Sequence, residues 1–225
     1  TGEPGGPDSE VFYDFGTPHD QKYGQECHPN CDCGRFLEIG NSVFMLYQKQ
    51  SDGSLTELAQ KNVDFGGGLE RILAASLDDP DVFKTDLFWP IIEKIEALTG
   101  KNYLENALPM RIIADHLKGS VMMIAEGLEP SNKLQGYVLR RLLRRAALKL
   151  HLLKPNFVAT DLTGAVSAVY DVYEGVYLDR TRDFTRVGKM IGEEIEKFQI
   201  TISRGLRELE KYQSIDGKVA FDLLS

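Results

Sequence analysis

The stretch that decides the fold is KNVDFGGGLERI, residues 61–72, in which three glycines separate an aspartate from an arginine. The pattern predicts a strand that ends at Asp64 and a helix that starts around Leu69. Backbone N–H groups at a helix start suit an anion, and glycines let a phosphate or a flat ring approach. Arg71 suits phosphate oxygens, whereas Asp64 suits an ammonium or hydroxyl group. The stretch indicates a site for a ligand with an amine and phosphates, or else a glycine-rich turn with a helix-capping acid.

The residues upstream predict an antiparallel sheet. SEVFYDF (9–15) is a short strand candidate, and RFLEIGNSVFMLYQK (35–49) is dense in aromatic and β-branched residues. The Asp-Gly pair in QSDGSL (50–55) predicts a hairpin turn, with LTEL as the return strand and NVDF as a further strand. Period two places Glu38 and Asn41 on opposite faces, and taken alone they favour solvated positions of an edge strand.

Downstream of the glycines the periodicity is helical. LERILAASL opens one helix, and residues 83–100 predict another, with Pro90 in its first turn and Gly100 just past its end. The longest helix is predicted from about Thr185 to Tyr212. The predicted fold class is therefore α+β, an antiparallel sheet region over residues 1–105 followed by an all-helical region over residues 106–225.

Composition and charge narrow the function classes. The chain has 225 residues, 42% hydrophobic and 27% charged, with apolar runs far short of a membrane span. Its net charge of −8 argues against binding nucleic acid by overall charge. One segment departs from that average, because YVLRRLLRRAALKLH (137–151) contains no acid. Its basic stripe fits a phosphate backbone, or alternatively pairs with acids of the long helix; the arginines are Arg140, Arg141, Arg144 and Arg145, and the acids are Glu193, Glu194 and Glu196.

Two smaller patterns also point to sites. In the loop EPSNKLQG, Asn132 is either an ordinary cap or turn residue or, beside a phosphate-binding helix, a reader of a base edge. All three cysteines lie in CHPNCDC (27–33), which favours a metal or free thiols in a reducing compartment over disulfides. The zinc candidates are Cys27, His28, Cys31 and Cys33, with His19 as the alternative histidine, and a loop of free cysteines is the competing interpretation.

Five segments occur here in one register, and together they closely resemble the alanyl-tRNA synthetases: SEVFYD, RFLEIGNSVFMLY, NVDFGGGLERI, RIIADHLKGSVMMIAEGLEPSN and GYVLRRLLRRA. The resemblance extends from residue 1 to about residue 151, and more loosely to VAFDLL near the end. It implies a class II synthetase that uses ATP and Mg²⁺ to form alanyl-adenylate and then charges tRNA(Ala) in the cytoplasm. Residues 1–105 would be the C-terminal part of the aminoacylation domain, and residues 106–225 the helical domain that recognises the tRNA acceptor stem.

The resemblance also implies roles for individual residues. Arg71 matches the arginine that contacts the ATP γ-phosphate, in the third class II motif, and Glu38 the acid near the ATP-bound magnesium. Asp64 matches the residue that holds the alanine ammonium, with Asn41 assisting. Gly66 and Val43 match residues that line the alanine pocket. Gly66, Gly67 and Gly68 match positions at the ATP site. Asn132 matches the asparagine that helps to read the G·U wobble pair of the acceptor stem.

Some positions depart from the family pattern. The family usually has tryptophan where this chain has Gly40, and often GPCGPCSE where it has EPGGPDSE. The first two class II motifs would precede Thr1, and the second wobble-reading residue, an aspartate, aligns with Ser225. We therefore expect an alanine–tRNA ligase that lacks the N-terminal half of its catalytic domain and does not activate alanine alone. The alternatives are a non-catalytic acceptor-stem binding module and a protein–protein module whose arginines pair with acids.

Overall fold

The computed structural model describes residues 2–212 together with Gly217. Contacts group the chain into two compact units, Thr1–Leu87 and Phe88–Ser225. The first contains the sheet and the second five α-helices, which confirms the predicted α+β class. The residue-105 boundary remains a prediction about functional domains, whereas the contact grouping assigns residues 88–105 to the helical unit. Over the described range, no helix combines the length and apolar character needed to cross a membrane.

The sheet is antiparallel and is built around one long strand. Its strands are β1 (Pro4–Gly5), β2 (Asp8–Asp14), β3 (Phe36–Lys49) and β4 (Leu55–Gly67). β3 pairs with β4 along one edge and with β1 and β2 along the other, so it is the central strand. The predicted hairpin turn is confirmed, because the Gln50 N–H donates to the Ser54 carbonyl at 2.8 Å and Gly53 has φ 85°.

The prediction of two separate strands, LTEL and NVDF, is wrong, because both belong to β4. The pairing with β3 shifts between Met45 and Tyr47, so that residues 58–61 have no register partner there. Such an irregularity takes up the extra residues locally while the strand continues in the same direction. The predicted strand end at Asp64 is wrong, because β4 continues to Gly67 through its pairing with β3. The chain then turns at Gly68 into α1 (Leu69–Ser76), whose start is as predicted, and α1 packs against β3.

The helical unit contains α2 (Trp89–Thr99), α3 (Ala107–Ala125), α4 (Leu134–Leu153), α5 (Thr163–Tyr173) and α6 (Arg180–Leu209). Its core includes fully buried side chains of facing helices, such as Ile113 and Leu117 of α3 and Leu139 and Leu143 of α4. Burying each such side chain stabilises the fold by about 1.5–3 kcal/mol. This core fixes one face of α4 and thereby determines which of its arginines reach solvent.

One helix start agrees with the sequence prediction and another differs from it. α2 begins at Trp89, which places Pro90 in the first turn as expected, because Pro90 lacks an N–H and fits a first turn but not a helix interior. Gly100 ends the same helix in the left-handed region at φ 65°, as expected. α6 begins at Arg180, five residues before the predicted start, because the Asp179 side chain accepts hydrogen bonds from the N–H groups of Thr181 and Arg182 at 3.0 and 3.2 Å.

Candidate active site and nucleic-acid interface

The register of β3 and β4 brings four of the predicted site residues to one face of the sheet. Asn41 lies opposite Gly66, and Val43 lies opposite Asp64. Directly opposed residues point to the same side, and two residues along a strand restores that side, so all four share a face. A Cβ added to Gly66 would lie 3.3 Å from Asn41 Oδ1. The glycine therefore leaves the amide of Asn41 uncovered.

Arg71 and Glu38 meet at the edge of the same strands. Arg71 Nη1 donates to the Glu38 carbonyl at 3.1 Å and lies 3.5 Å from Glu38 Oε2, with the arginine side chain half exposed. Both residues line a cavity of ≈ 300 Å³; the rest of the lining is Ile39, Gly40, Asn41, Gly66, Gly67 and Gly68. The arrangement offers a cation, an acid and bare backbone to one ligand. A phosphate at this position would compete with Glu38 for the guanidinium.

The start of α1 forms one wall of this cavity. Gly68 is its N-cap, in an extended conformation and with no side-chain cap, and its N–H donates to the Ile39 carbonyl at 3.1 Å. The first N–H groups of a helix have no partner within the helix, which makes such an end attractive to anions. The glycine stretch thus joins the helix to β3 and leaves that end open. Asp64 and Val43 lie two register pairs further along the strands and do not line the cavity.

A side chain that the sequence analysis did not single out covers two of the glycines. A Cβ at Gly40 would lie 2.9 Å from Phe65 Cζ and 2.9 Å from the Gly66 carbonyl oxygen, and one at Gly67 would lie 3.3 Å from Phe65 Cε1. The Phe65 ring therefore lies over both glycines while its residue remains 63% exposed. An aromatic residue directly before the glycines is the sequence signal that was available for this contact.

The four arginines of α4 separate into two pairs. Glu194 of α6 is buried, and its Oε1 accepts a hydrogen bond from Arg144 Nε at 2.9 Å and lies 3.2 Å from Arg140 Nε. Arg141 and Arg145 are exposed about a quarter-turn further round the helix, and neither forms an ion pair within residues 2–212. The ion-pair interpretation therefore holds for Arg140 and Arg144 and not for Arg141 and Arg145.

Asn132 lies in the loop that leads into α4 and contacts the same helix. Its Oδ1 accepts a hydrogen bond from Arg140 Nη1. The Ser131 N–H donates to the Gly136 carbonyl at 3.0 Å, and a Cβ at Gly136 would lie 2.5 Å from the Glu129 carbonyl oxygen. The loop therefore packs closely on the first turn of α4. Leu134, with φ 49° and a side chain facing solvent, completes the turn.

The cysteine segment forms a compact cluster with His19 and not with the exposed His28. The ligand atoms of His19, Cys27, Cys31 and Cys33 all lie within 4.8 Å of one another, and the Cys27 and Cys33 sulfurs are 3.6 Å apart. A tetrahedral zinc with Zn–S bonds of about 2.3 Å separates its sulfurs by roughly 3.8 Å. His19 Nε2 lies 2.9 Å from the Gly24 carbonyl, and a hydrogen bond there makes Nε2 the protonated nitrogen and leaves Nδ1 to face Cys31 at 3.8 Å. The donors fit a zinc ion.

Electrostatics in the cluster favour a thiolate. A hydrogen bond from the protonated form of His19 lowers the pKa of Cys33 to about 6, and the backbone N–H of Arg35 acts in the same direction. Desolvation and the neighbouring Cys33 raise the pKa of Cys27 to about 11. Since metals bind the thiolate form, Cys33 is the sulfur that is most ready to ligate.

Comparison of the sequence with known proteins identifies the family of the chain. A family model described as tRNA synthetases class II (A) matches residues 1–224. The chain belongs to this family. An alanine–tRNA ligase of Desulfosudis oleivorans is 39% identical over 96% of the chain and 24% of its own length. Those of Borrelia hermsii and Thermotoga petrophila are each 39% identical, over 98% and 96% of the chain and over 38% and 26% of their own lengths.

The chain of this class II synthetase thus spans well under half of the curated relatives it matches. Ser225 and VAFDLL, which the resemblance connects with wobble recognition, lie outside the described residues. Sequence reasoning did not find the role of Glu194, because three neighbouring glutamates in α6 look alike in the sequence. Only the packing of α6 on α4 distinguishes the buried Glu194 from the exposed Glu193 and Glu196.

Proposed function

We propose that the chain supplies part of the active site and the acceptor-stem-binding surface of an alanine–tRNA ligase. The observation that carries the proposal is the register of β3 and β4, which aligns Asn41, Val43, Asp64 and Gly66 on one face beside the Arg71 cavity. Residues 1–105 would serve adenylate formation, and residues 106–225 would bind the acceptor stem. Cytoplasmic protein synthesis is the setting that this function implies.

The proposed chemistry assigns a task to each residue of the site. Asp64 holds the alanine ammonium and Asn41 assists it, which orients the carboxylate for attack on the α-phosphate of ATP. Arg71 leaves Glu38 and neutralises the γ-phosphate. Glu38 is the carboxylate that would hold Mg²⁺, and one carboxylate fits an ion that is bound mainly by substrate phosphates and supplies charge neutralisation there.

We further propose that additional polypeptide, the N-terminal half of the catalytic domain, completes this site. β4 is exposed along nearly its whole length, Val63 and Phe65 are 57% and 63% exposed, and among residues 2–212 its outer edge has no strand partner. A long, unpaired strand edge that exposes large apolar side chains is normally covered in a folded protein. The chain alone is therefore expected not to activate alanine.

ATP–pyrophosphate exchange with alanine tests this proposal. The chain alone should show no exchange, whereas the chain joined to the residues that precede the matched region of the Desulfosudis oleivorans relative should be active. In the joined protein Asp64→Asn should abolish exchange, and Asp52→Asn, in the exposed hairpin turn, should not. Exchange by the chain alone would contradict the incomplete site, and exchange that ignores alanine would contradict the substrate assignment.

A second candidate, a non-catalytic acceptor-stem binding module, is favoured by the exposure of Arg141 and Arg145. The Arg141→Ala/Arg145→Ala double variant should bind an acceptor-stem minihelix more weakly and with a shallower salt dependence, by roughly 0.7–0.9 in log–log slope for each lost phosphate contact. Arg204→Ala/Arg207→Ala removes equal charge from exposed positions of α6 and is the matched control. Equal losses in both variants would contradict a specific surface, and no binding at all would favour the protein–protein module.

We also propose that His19, Cys27, Cys31 and Cys33 hold a structural zinc ion. Zinc measured by elemental analysis should be near one equivalent per chain in the wild-type protein and in His28→Ala. It should be much reduced in His19→Ala. Retention in His19→Ala with loss in His28→Ala would instead favour the ligand set that includes His28.

A further inference from the structure

Where α6 packs on α4, one buried carboxylate faces two guanidinium groups. The Glu194 side chain is only 4% exposed, and both Arg140 and Arg144 approach its Oε1. A buried acid with cationic partners keeps those partners in place, because moving them away leaves an uncompensated charge. Arg144 also lies over the Phe198 ring, with its guanidinium carbon 5.3 Å from the ring centre. The pair therefore has little freedom to rearrange.

Arg140 spans the distance from this buried acid to the loop. Its Nε faces Glu194 as an ion pair without a well-directed hydrogen bond, Nη1 donates to Asn132 Oδ1, and Nη2 donates to the Pro130 carbonyl at 3.5 Å. The planar guanidinium holds these nitrogens in a rigid fork, which a lysine cannot reproduce. The Arg140 side chain thus connects the loop to α6.

The contact also fixes the orientation of the Asn132 amide. Arginine has only donors, so the atom that faces it must be the amide oxygen. Nδ2 is then directed away from Arg140 with its two N–H groups available on an exposed residue. An amide held in this way presents donors, and it suits acceptors in the wide, shallow minor groove of an RNA helix.

We propose that Glu194 is a positioning residue for RNA recognition: it orients Arg140, which in turn fixes the Asn132 amide as a hydrogen-bond donor toward a base edge. The inference rests on the proposed acceptor-stem function. It goes beyond that function by assigning Glu194 as the acid that orients Arg140 and, through Arg140, the loop that carries Asn132. It also implies that the group on the RNA that meets Asn132 is a hydrogen-bond acceptor. Glu194 itself touches no RNA.

The test combines a measurement without RNA and one with RNA, on the full chain. The side-chain amide signals of Asn132, assigned by their loss in Asn132→Ala, are recorded after ¹⁵N-asparagine labelling. Binding is measured at fixed salt with two minihelices that differ only in a G·U or a G·C third pair. The variants are Glu194→Gln and Arg140→Lys; the matched controls are Glu193→Gln, a neighbouring exposed acid, and Arg144→Lys, which shares Glu194 but does not contact Asn132.

Glu194→Gln and Arg140→Lys should shift the Asn132 amide signals and reduce the preference for the G·U minihelix about tenfold, the effect of roughly one lost base contact. The two controls should behave like the wild type. Unchanged amide signals in Glu194→Gln would overturn the positioning role whatever the RNA result. A different result would be that the two variants shift the Asn132 signals while the wild-type chain shows no preference between the minihelices. That result would refute the base-reading function and leave the Glu194–Arg140–Asn132 contact standing.

Asn132→Asp separates the donor from the contact. An aspartate keeps an oxygen toward Arg140 and loses both N–H groups. The variant should retain the loop position but lose the preference for the G·U minihelix. Full preference in this variant would overturn the donor assignment.

Discussion

Gly136→Ala is expected to destabilise the helical unit, although alanine is the better helix former. A Cβ at this position would lie 2.2 Å from Ser131 Oγ and 2.5 Å from the Glu129 carbonyl oxygen, against an ordinary contact of 3.4 Å or more. Ser131 Oγ can rotate away, but the carbonyl belongs to the backbone. The loop must therefore move back by about 0.9 Å, so that the distance from the added Cβ to the Glu129 carbonyl oxygen rises from 2.5 Å to the ordinary 3.4 Å.

The size of the effect follows from two opposing terms. Overpacking of this kind costs about 1–3 kcal/mol. Replacing glycine by alanine in a helix returns about 0.5–1 kcal/mol. The difference spans about 0–2.5 kcal/mol with a midpoint near 1 kcal/mol, and a loss of that size lowers the Tm of such a domain by about 3–5 °C.

The assay uses the one tryptophan of the chain, Trp89, which lies in α2 of the helical unit. Its fluorescence reports thermal unfolding of that unit, because the ring packs edge-on against Tyr103 with centroids 5.6 Å apart. Gly119→Ala is the control, since no atom lies within 4 Å of a Cβ there, and it should raise Tm slightly. Adding Ser131→Gly to Gly136→Ala should recover only part of the loss. A Gly136→Ala protein that melts at or above the wild-type temperature would refute the close packing of the loop on α4.

Three further outcomes are expected. Gly40→Ala should lower the temperature at which the sheet unit unfolds, and adding Phe65→Ala should restore part of the lost stability. A double-mutant cycle should give a coupling energy of about 0.5–1.5 kcal/mol. Additive effects would show that the two residues do not share space. The ion pair with Arg35 lowers the pKa of Asp14 to about 2, so the stabilisation from this pair is complete above the ordinary aspartate pKa and is lost as pH falls toward 2. The Tm difference between wild type and Asp14→Asn should therefore shrink over that pH range. A constant Tm difference would exclude the ion pair as its cause. Removal of zinc with a chelator should lower the Tm of the wild-type protein and leave that of Cys31→Ser unchanged, while equal decreases would indicate a different metal site.

Local signals in the sequence predicted most of the elements. The Asp-Gly pair set the hairpin turn, and Pro90 and Gly100 bounded α2, because proline fixes its own φ and glycine accepts the left-handed conformation that a turn or helix end needs. The prediction that LTEL and NVDF are separate strands failed because it depends on contacts that are distant in the sequence. Whether a strand ends or bulges depends on its partner, and the shift opposite Met45 and Tyr47 exists only in the pairing.

The candidate site shows the same limit at the level of side chains. The motif around Arg71 and the arginines of α4 could be located from the sequence, but the direction in which each arginine points depends on where α6 packs. Arg140 and Arg141 are neighbours in sequence, yet one pairs with a buried acid and the other faces solvent. The choice of His19 over His28 likewise depends on how the loop folds back on itself.

The Phe65 ring over Gly40 and Gly67 has an evolutionary consequence. Positions on two adjacent strands draw on one volume, so a bulky residue at position 40 and an aromatic one at position 65 exclude each other. Substitutions at these two positions are therefore expected to be epistatic, because the space available to a side chain at position 40 depends on the side chain at position 65. Lineages that differ at this wall of the cavity are therefore expected to have changed both strands together.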